Sequence, residues 1–253
     1  MSKPFRFKEF TIAQDKTAMK VGTDGVLLGA WASIENNPFS VLDIGAGTGL
    51  IALQLAQRCH AEVIDAIEID DDAYEQAVDN FENSPWSDRL FCYHAGLDEF
   101  VDEIEDTYDL IISNPPFYTE NYKTESTQRD TARFTDALPF SALLSGVAKL
   151  LAPTGIFHTI IPYKEHEHFI NLAKANQLFP KKTCHVKGNP KANFKRSLLS
   201  FSFENTEFGY LENSTNPSLL PEFRSNKIIN SMYSFLNLSY DDYIFLELTG
   251  RND

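Results

Sequence analysis

Ser40-Val41-Leu42-Asp43-Ile44-Gly45-Ala46-Gly47-Thr48-Gly49 passes from a short apolar run into a turn built on three glycines. The run is of strand length, and the glycines end it. Leu50 to Arg58 then carries apolar residues at helical spacing, and Val63 to Ile69 is a second apolar run that closes on Glu68-Ile69-Asp70. Strand, glycine turn, helix and strand make a βαβ unit, whose strands lie parallel with a right-handed crossover. Outward from this unit, the pattern predicts a helix at Asp71 to Asn83 and strands at Leu90 to His94 and Tyr108 to Ser113. Beyond these lie a helix at Phe140 to Leu151, stopped by Pro153 and Gly155, a strand at Ile156 to Pro162 and a helix at Glu165 to Gln177. Lys181 to Val186 and Ser197 to Glu204 flank the Gly188-Asn189-Pro190 turn and predict a hairpin at the sheet edge. The expected fold is α/β, a doubly wound, mostly parallel seven-stranded sheet with an antiparallel edge hairpin. Ligands bind such sheets beyond the carboxyl ends of the strands where the strand order reverses, and Gly45, Glu68 and Asn114 all fall there.

At 253 residues and 43% hydrophobic content, the chain can bury one substantial core. The first residues lack an apolar signal region, and stretches such as Val26 to Ala32 are far too short to span a bilayer, so a soluble cytoplasmic protein is expected. Cys59, Cys92 and Cys184 contain no close pair, which excludes a disulfide framework and a cysteine-rich zinc site. His166 and His168 are two residues apart on an expected helix and point different ways, so no metal is expected there.

A net charge of −14 argues at first against a nucleic-acid partner, but the acid is confined. Glu62 to Asp109 holds 17 acidic residues and one basic one, Arg89, so the remainder of the chain carries +2. Lys181 to Arg196 carries six Lys or Arg and no acid, and the first twenty residues carry five basic against two acidic. These are candidate phosphate-facing patches. Lys123, Arg129 and Arg133 punctuate an aperiodic stretch, 119 to 135, expected to form a substrate-facing loop.

The glycine spacing narrows the ligand. Gly45-x-Gly47-x-Gly49 is one residue shorter than the dinucleotide fingerprint, which favours a ligand without a pyrophosphate. Glu68 ends the next strand, in place to hold two ribose hydroxyls. No Gly-Lys-Ser or Gly-Lys-Thr follows, so the phosphate loop of nucleotide hydrolases is excluded. Asn114-Pro115-Pro116-Phe117 ends the run from Asp109 to Ser113. Its prolines bar a continuing helix and present the Asn114 side-chain oxygen and the Pro115 carbonyl as neighbouring acceptors, with an aromatic ring behind them. An NH2 group on a flat molecule would give both hydrogens to that pair while Phe117 stacks on its face.

Asp43 to Gly49, Glu68 and Asn114 to Phe117, in this order and spacing, resemble the amino-methylating branch of the Rossmann-like S-adenosyl-L-methionine-dependent methyltransferases. Phe5-Arg-Phe-Lys-Glu-Phe10, Met19 to Trp31 and Ser84-Pro-Trp86 resemble, more narrowly, the bacterial tRNA(Val) adenine-37 N6-methyltransferase family, over about residues 5 to 205. The resemblance implies that Asp43, Gly45, Ala46, Gly47, Gly49, Glu68 and Leu97 surround the cofactor, Glu68 at its ribose. It implies that Asn114, Pro115 and Phe117 act on the base, and that Lys20, Thr23, Asp24, Lys191, Lys195 and Arg196 meet tRNA. Gly96 stands where that family has an aspartate that holds the cofactor adenine, and backbone groups or Asp98 are the available substitutes.

Residues 5 to 12 alternate and suggest a short strand or ribbon, and Thr23 or Asp24 is placed to cap a helix carrying Val26, Leu27, Ala30 and Trp31. The chain then divides into a covering segment at 1–35, the methyltransferase domain at 36–208 and a tail at 209–253. A monomer is expected. Methylation of a protein glutamine amide or of guanine N2 in ribosomal RNA uses the same acceptor pair, and a non-catalytic RNA-binding module is the alternative from another class. A nicotinamide-dependent oxidoreductase is disfavoured by the glycine spacing and by the lack of a Tyr-x-x-x-Lys motif.

Overall fold

The structure, a computed structural model, describes residues 3–116, 138–188, 191–205 and 245–249. Strands β1 (Phe5–Arg6) and β2 (Thr11–Ile12) form the expected antiparallel ribbon, with Phe5 opposite Ile12. Helix α1 (Thr23–Trp31) leads to β3 (Ser40–Ile44), α2 (Leu50–Arg58), β4 (Val63–Glu68), α3 (Asp71–Glu82) and β5 (Leu90–His94). Next come α4 (Leu97–Glu103), β6 (Tyr108–Ser113), α5 (Phe140–Leu150) and β7 (Leu151–Pro162). A single 3-10 turn (Tyr163–Glu165) opens into α6 (His166–Ala175), and β8 (Phe179–Lys187), β9 (Arg196–Ser202) and β10 (Phe245–Thr249) complete the sheet.

The sheet order is β10-β8-β9-β7-β6-β3-β4-β5. The pairs from β7 to β5 are parallel, and those among β7, β9, β8 and β10 are antiparallel. The seven expected strands and their hairpin are present, with one correction. The β8–β9 hairpin is not the edge, because β10 pairs along β8 from Phe245 opposite Lys187 to Thr249 opposite Thr183. Two boundaries also differ. β7 begins at Leu151, and a register shift against β6 lets it pass Pro153 and Gly155, where the ladder asks no donor of the proline. Helix α4 follows Gly96 directly, in a segment where the sequence pattern predicts no element.

The central strands are buried on both faces, as a parallel sheet requires. Val41, Ile64, Leu110, Ile112 and Ile160 face one core, shared with Phe7, Phe10, Ile12 and the apolar residues of α1 and α2. Leu42, Ile44, Ile67, Ile111, Phe157 and Ile161 face the other, against α4, α5 and α6. The ribbon and α1 are therefore built into the same core as β3. Helix α1 is apolar nearly all round, with Gly25 to Trp31 buried, and α2 grips its backbone. Gln54 Nε2 donates to the Val26 carbonyl (3.3 Å), and the Arg58 guanidinium donates to the Gly29 carbonyl. A Cβ at Gly29 would stand 2.2 Å from Gln54 Oε1, so a side chain there would displace the Gln54 amide that bonds the Val26 carbonyl.

Candidate active site

The strand order reverses at β3, which runs to β4 on one side and meets β6 on the other. Ile44 lies beside both Ile67 and Ser113, so Gly45, Glu68 and Asn114 each stand one residue past this row. The Ser113 hydroxyl donates to the Ile44 carbonyl at 2.9 Å and ties the two strand ends together.

Gly45, Gly47 and Gly49 all have φ between 58° and 75°, the left-handed region that side chains disfavour. Their surroundings separate them. A Cβ on Gly49 would stand 2.4 Å from the Phe81 ring, whereas nothing lies within 4 Å of the Cβ positions at Gly45 and Gly47. Gly49 is thus fixed by packing, and the other two face open space at the sheet's carboxyl rim. The Gly45 and Ala46 amides donate to the Ile67 carbonyl (2.9 and 3.0 Å), which holds the turn against β4.

Two carboxylates brace the turn. Asp43 is fully buried, and its Oδ2 accepts from the Ala52 amide (3.1 Å) in the first turn of α2. Burial pushes its carboxyl up to about 7, against the pull of the Ala52 amide, and Oδ1 has no partner among the described residues. Glu68 is nearly buried. Its Oε2 accepts from the Gly47 amide (2.8 Å), and its Oε1 accepts from the Ile69 (2.9 Å) and Asp70 (3.0 Å) amides. Expected to face a ribose, Glu68 is here the clasp of the glycine turn.

Asn114 stands in the opposite condition. Its Oδ1 is buried and has no hydrogen-bond partner among the described residues, and Pro115 behind it is buried. A Cβ added at Gly25 would lie 3.1 Å from Leu50 Cδ2 and 4.0 Å from Asn114 Nδ2, so the start of α1 roofs the amide. Neither Thr23 nor Asp24 caps that helix, contrary to the sequence expectation. Thr23 is its first residue, Gly22 occupies the cap position, and no side chain accepts there. Asp24 Oδ2 instead accepts from Arg196 Nε (2.8 Å), which ties α1 to the start of β9.

The Methyltransferase small domain family model matches residues 26–137. The tRNA1(Val) (adenine(37)-N6)-methyltransferase of Flavobacterium psychrophilum is 68% identical over 78% of this chain and 85% of its own length. That of Flavobacterium johnsoniae is 66% identical over 78% and 84%. The chain belongs to the tRNA1(Val) (adenine(37)-N6)-methyltransferase family. In fold it is similar to a solved transferase structure from Pyrococcus horikoshii, with a TM-score of 0.55 at 16% identity over 78% of this chain and 70% of that one.

Against this membership, the other residues named from sequence divide by position. Ala46 is buried in the turn. Leu97 is buried too, and its side chain packs on α5, where a Cβ at Gly146 would come within 2.7 Å of it. Lys195 and Lys191 are exposed beyond β9, and Lys20 donates to the carbonyls of Gln14 and Thr17, near the ribbon. Phe117, the loop at 119–135 and the tail apart from β10 lie outside the described residues. Three rim positions gain their placement from the structure, and of these the sequence points only to Asp98. Ile69, 60% exposed, adjoins Gly96, and Asp98 Oδ1 lies 2.8 Å from where a Cβ on Gly96 would stand. Gly25 is the third, and its signal was a glycine two residues past the helix start, above the strand ends.

A cleft of about 370 Å³ lined by Ala56, His60, Trp86 and Arg89 lies at the far end of α2, away from Asn114. Among the described residues, no group of His, Cys, Asp or Glu is placed to hold a metal ion, and no helix is long and apolar enough to cross a membrane.

Proposed function

We infer that this chain transfers the methyl group of S-adenosyl-L-methionine to the exocyclic N6 of adenine 37 in tRNA(Val), in the cytoplasm. The observation that carries the reading is the buried, unpartnered Oδ1 of Asn114 at the switch point. A buried amide oxygen without a donor costs stability unless a ligand supplies one, and an exocyclic amine supplies two N–H groups.

The residues present fit the cofactor. Gly45 and Gly47 leave its approach open, and Ile69 with Asp98 stands at the rim near Gly96 for the adenine end, Asp98 taking the acceptor role that a longer side chain at position 96 would have had. A carboxylate has about four lone-pair positions, and Glu68 uses three on backbone amides. To hold both ribose hydroxyls it must release the Gly47 amide, which then faces the ligand as a donor. The bound cofactor supplies an electrophilic methyl, so this chain's task is to place a nitrogen and free its lone pair. Asn114 and the Pro115 carbonyl, accepting both N6 hydrogens, favour a pyramidal nitrogen with its lone pair turned away from them. That interaction strengthens toward the transition state. An unpaired loop base is cheaper to extrude than a paired one, which favours an anticodon loop over a duplex.

Incubation with tritiated S-adenosyl-L-methionine and unmodified tRNA, followed by nucleoside analysis, tests the reading. It requires label in N6-methyladenosine. Label confined to protein glutamine or to ribosomal guanine in parallel reactions would replace it.

A further inference from the structure

The rim continues past Asn114 toward the basic hairpin. Pro162 at the end of β7 lies opposite Arg196 of β9, and Arg196 lies opposite Val186 of β8. The residues just beyond these ends therefore share the rim with Asn114, within about 10–15 Å laterally at the usual strand spacing. Backbone bonds lace them together. The Tyr163 amide donates to the Lys195 carbonyl (3.0 Å), and the Lys195 amide donates to the Val186 carbonyl (2.8 Å).

A group of rings sits on this lacing. The Tyr163 centroid is 5.1 Å from that of Phe194 and 4.9 Å from that of His185, and His185 is 5.3 Å from Phe194 and 5.0 Å from His166. Tyr163 is 40% exposed and Phe194 is half-buried. Lys187 Nζ lies 5.1 Å from the Phe194 ring centre, and Lys195 is exposed beside it. The hairpin that carries these lysines contains no acid from Lys181 to Arg196. The acids of the adjoining turn, Glu165 and Glu167, lie 3.7 Å from Lys164 and 3.9 Å from His166.

An exposed tyrosine and a half-buried phenylalanine interleaved with lysines, beside hydrogen-bonded backbone, have the chemistry of a single-strand nucleic-acid platform. Bases stack on the rings in a sequence-tolerant way, and cations follow the backbone. The acid-rich stretch from Glu62 to Asp109 lies, except for its end at the start of β6, on the strands and helices on the other side of β3 and would repel the same partner. We propose that Tyr163 and Phe194 form a second stacking platform, which takes a nucleotide flanking the methylated adenine in the RNA loop, with Lys187 and Lys195 meeting adjacent phosphates. This rests on the RNA substrate inferred above.

Steady-state methylation of an unmodified tRNA(Val) transcript by the full chain tests it. Tyr163→Leu keeps apolar volume but removes the aromatic face. It should raise KM for tRNA about tenfold, with kcat, cofactor affinity and melting temperature near those of the wild type. Phe194→Leu should act in the same direction, and Tyr163→Phe should keep the wild-type KM. A wild-type enzyme that methylates the transcript, together with Leu variants of unchanged tRNA KM, overturns the platform and leaves the reaction standing. A wild-type enzyme that labels only protein overturns the RNA substrate itself, and the platform with it.

Discussion

Glu68 and Asn114 end strands on either side of β3, and their acceptors are in opposite states. Glu68 accepts three backbone amides from its own chain, whereas Asn114 keeps a buried carbonyl oxygen that nothing in the described chain satisfies. An acceptor filled by its own backbone shapes a loop. The empty Asn114 oxygen stands at the open strand ends, where a ligand can bring a donor, unlike the equally unpartnered Oδ1 of Asp43, which is fully buried within β3. The glycine turn is therefore shaped by Glu68 until a ligand competes for its oxygens, and the substrate end of the site keeps an acceptor without a donor among the described residues.

Removing the empty acceptor should have the largest effect. Asn114→Ala should lower kcat on the order of 10²–10³-fold, the scale of losing one preorganised transition-state contact, while cofactor affinity by calorimetry stays within about twofold. Removing the filled acceptor should do the reverse. Glu68→Ala leaves three amides unpaired and loses the ribose acceptor. Cofactor affinity should fall about 10–100-fold and unfolding free energy by about 1–3 kcal/mol, with kcat at saturation less affected. Denaturant titration and calorimetry on one preparation check both. Asp98→Ala should be milder, with cofactor affinity several-fold weaker and no change in KM for tRNA. An unchanged affinity would move the adenine contact to the backbone near Leu97.

The contrast between shaping and receiving groups was only partly legible in the sequence. The fold was legible because β3, β4 and β6 are short apolar runs that end in glycine, acidic residues or proline, signals that act locally. Gly45, Gly47 and Asn114 were legible for the same reason, since conformation and chain direction demand those residue types. What escaped depends on distant partners. Asp24 appears as a helix cap until Arg196, 172 residues away, is placed beside it. The state of Glu68 is a rotamer choice, made once the Gly47 amide points at it. Helix α4 lacks a side-chain cap, and β10 follows a long Asn- and Ser-bearing stretch, so its pairing with β8 is a matter of non-local register.

The last expected effect falls on stability rather than activity and concerns Asp43, a shaping group like Glu68 but fully buried. Its carboxyl is raised from 3.8 to about 7, so the folded state holds the proton more tightly than the unfolded chain does. That contribution to stability is complete below about pH 3.8 and is lost as pH rises through about 7. Asp43→Asn keeps an acceptor for the Ala52 amide and removes the titration. Its melting temperature should decline less than that of the wild type between pH 5 and pH 8, by thermal scans at several pH values.

The most direct test of the vacant acceptor is a double-mutant cycle between Asn114 and the group it awaits. Affinity of the wild type and of Asn114→Ala would be measured for tRNA(Val) anticodon stem-loops that carry adenine, or purine without the 6-amino group, at position 37. The wild type should prefer adenine by about tenfold and the variant should show almost no preference, the coupling expected when two partners touch. Equal preference in both proteins would mean that Asn114 does not hold the amine, and would contradict the account at its centre.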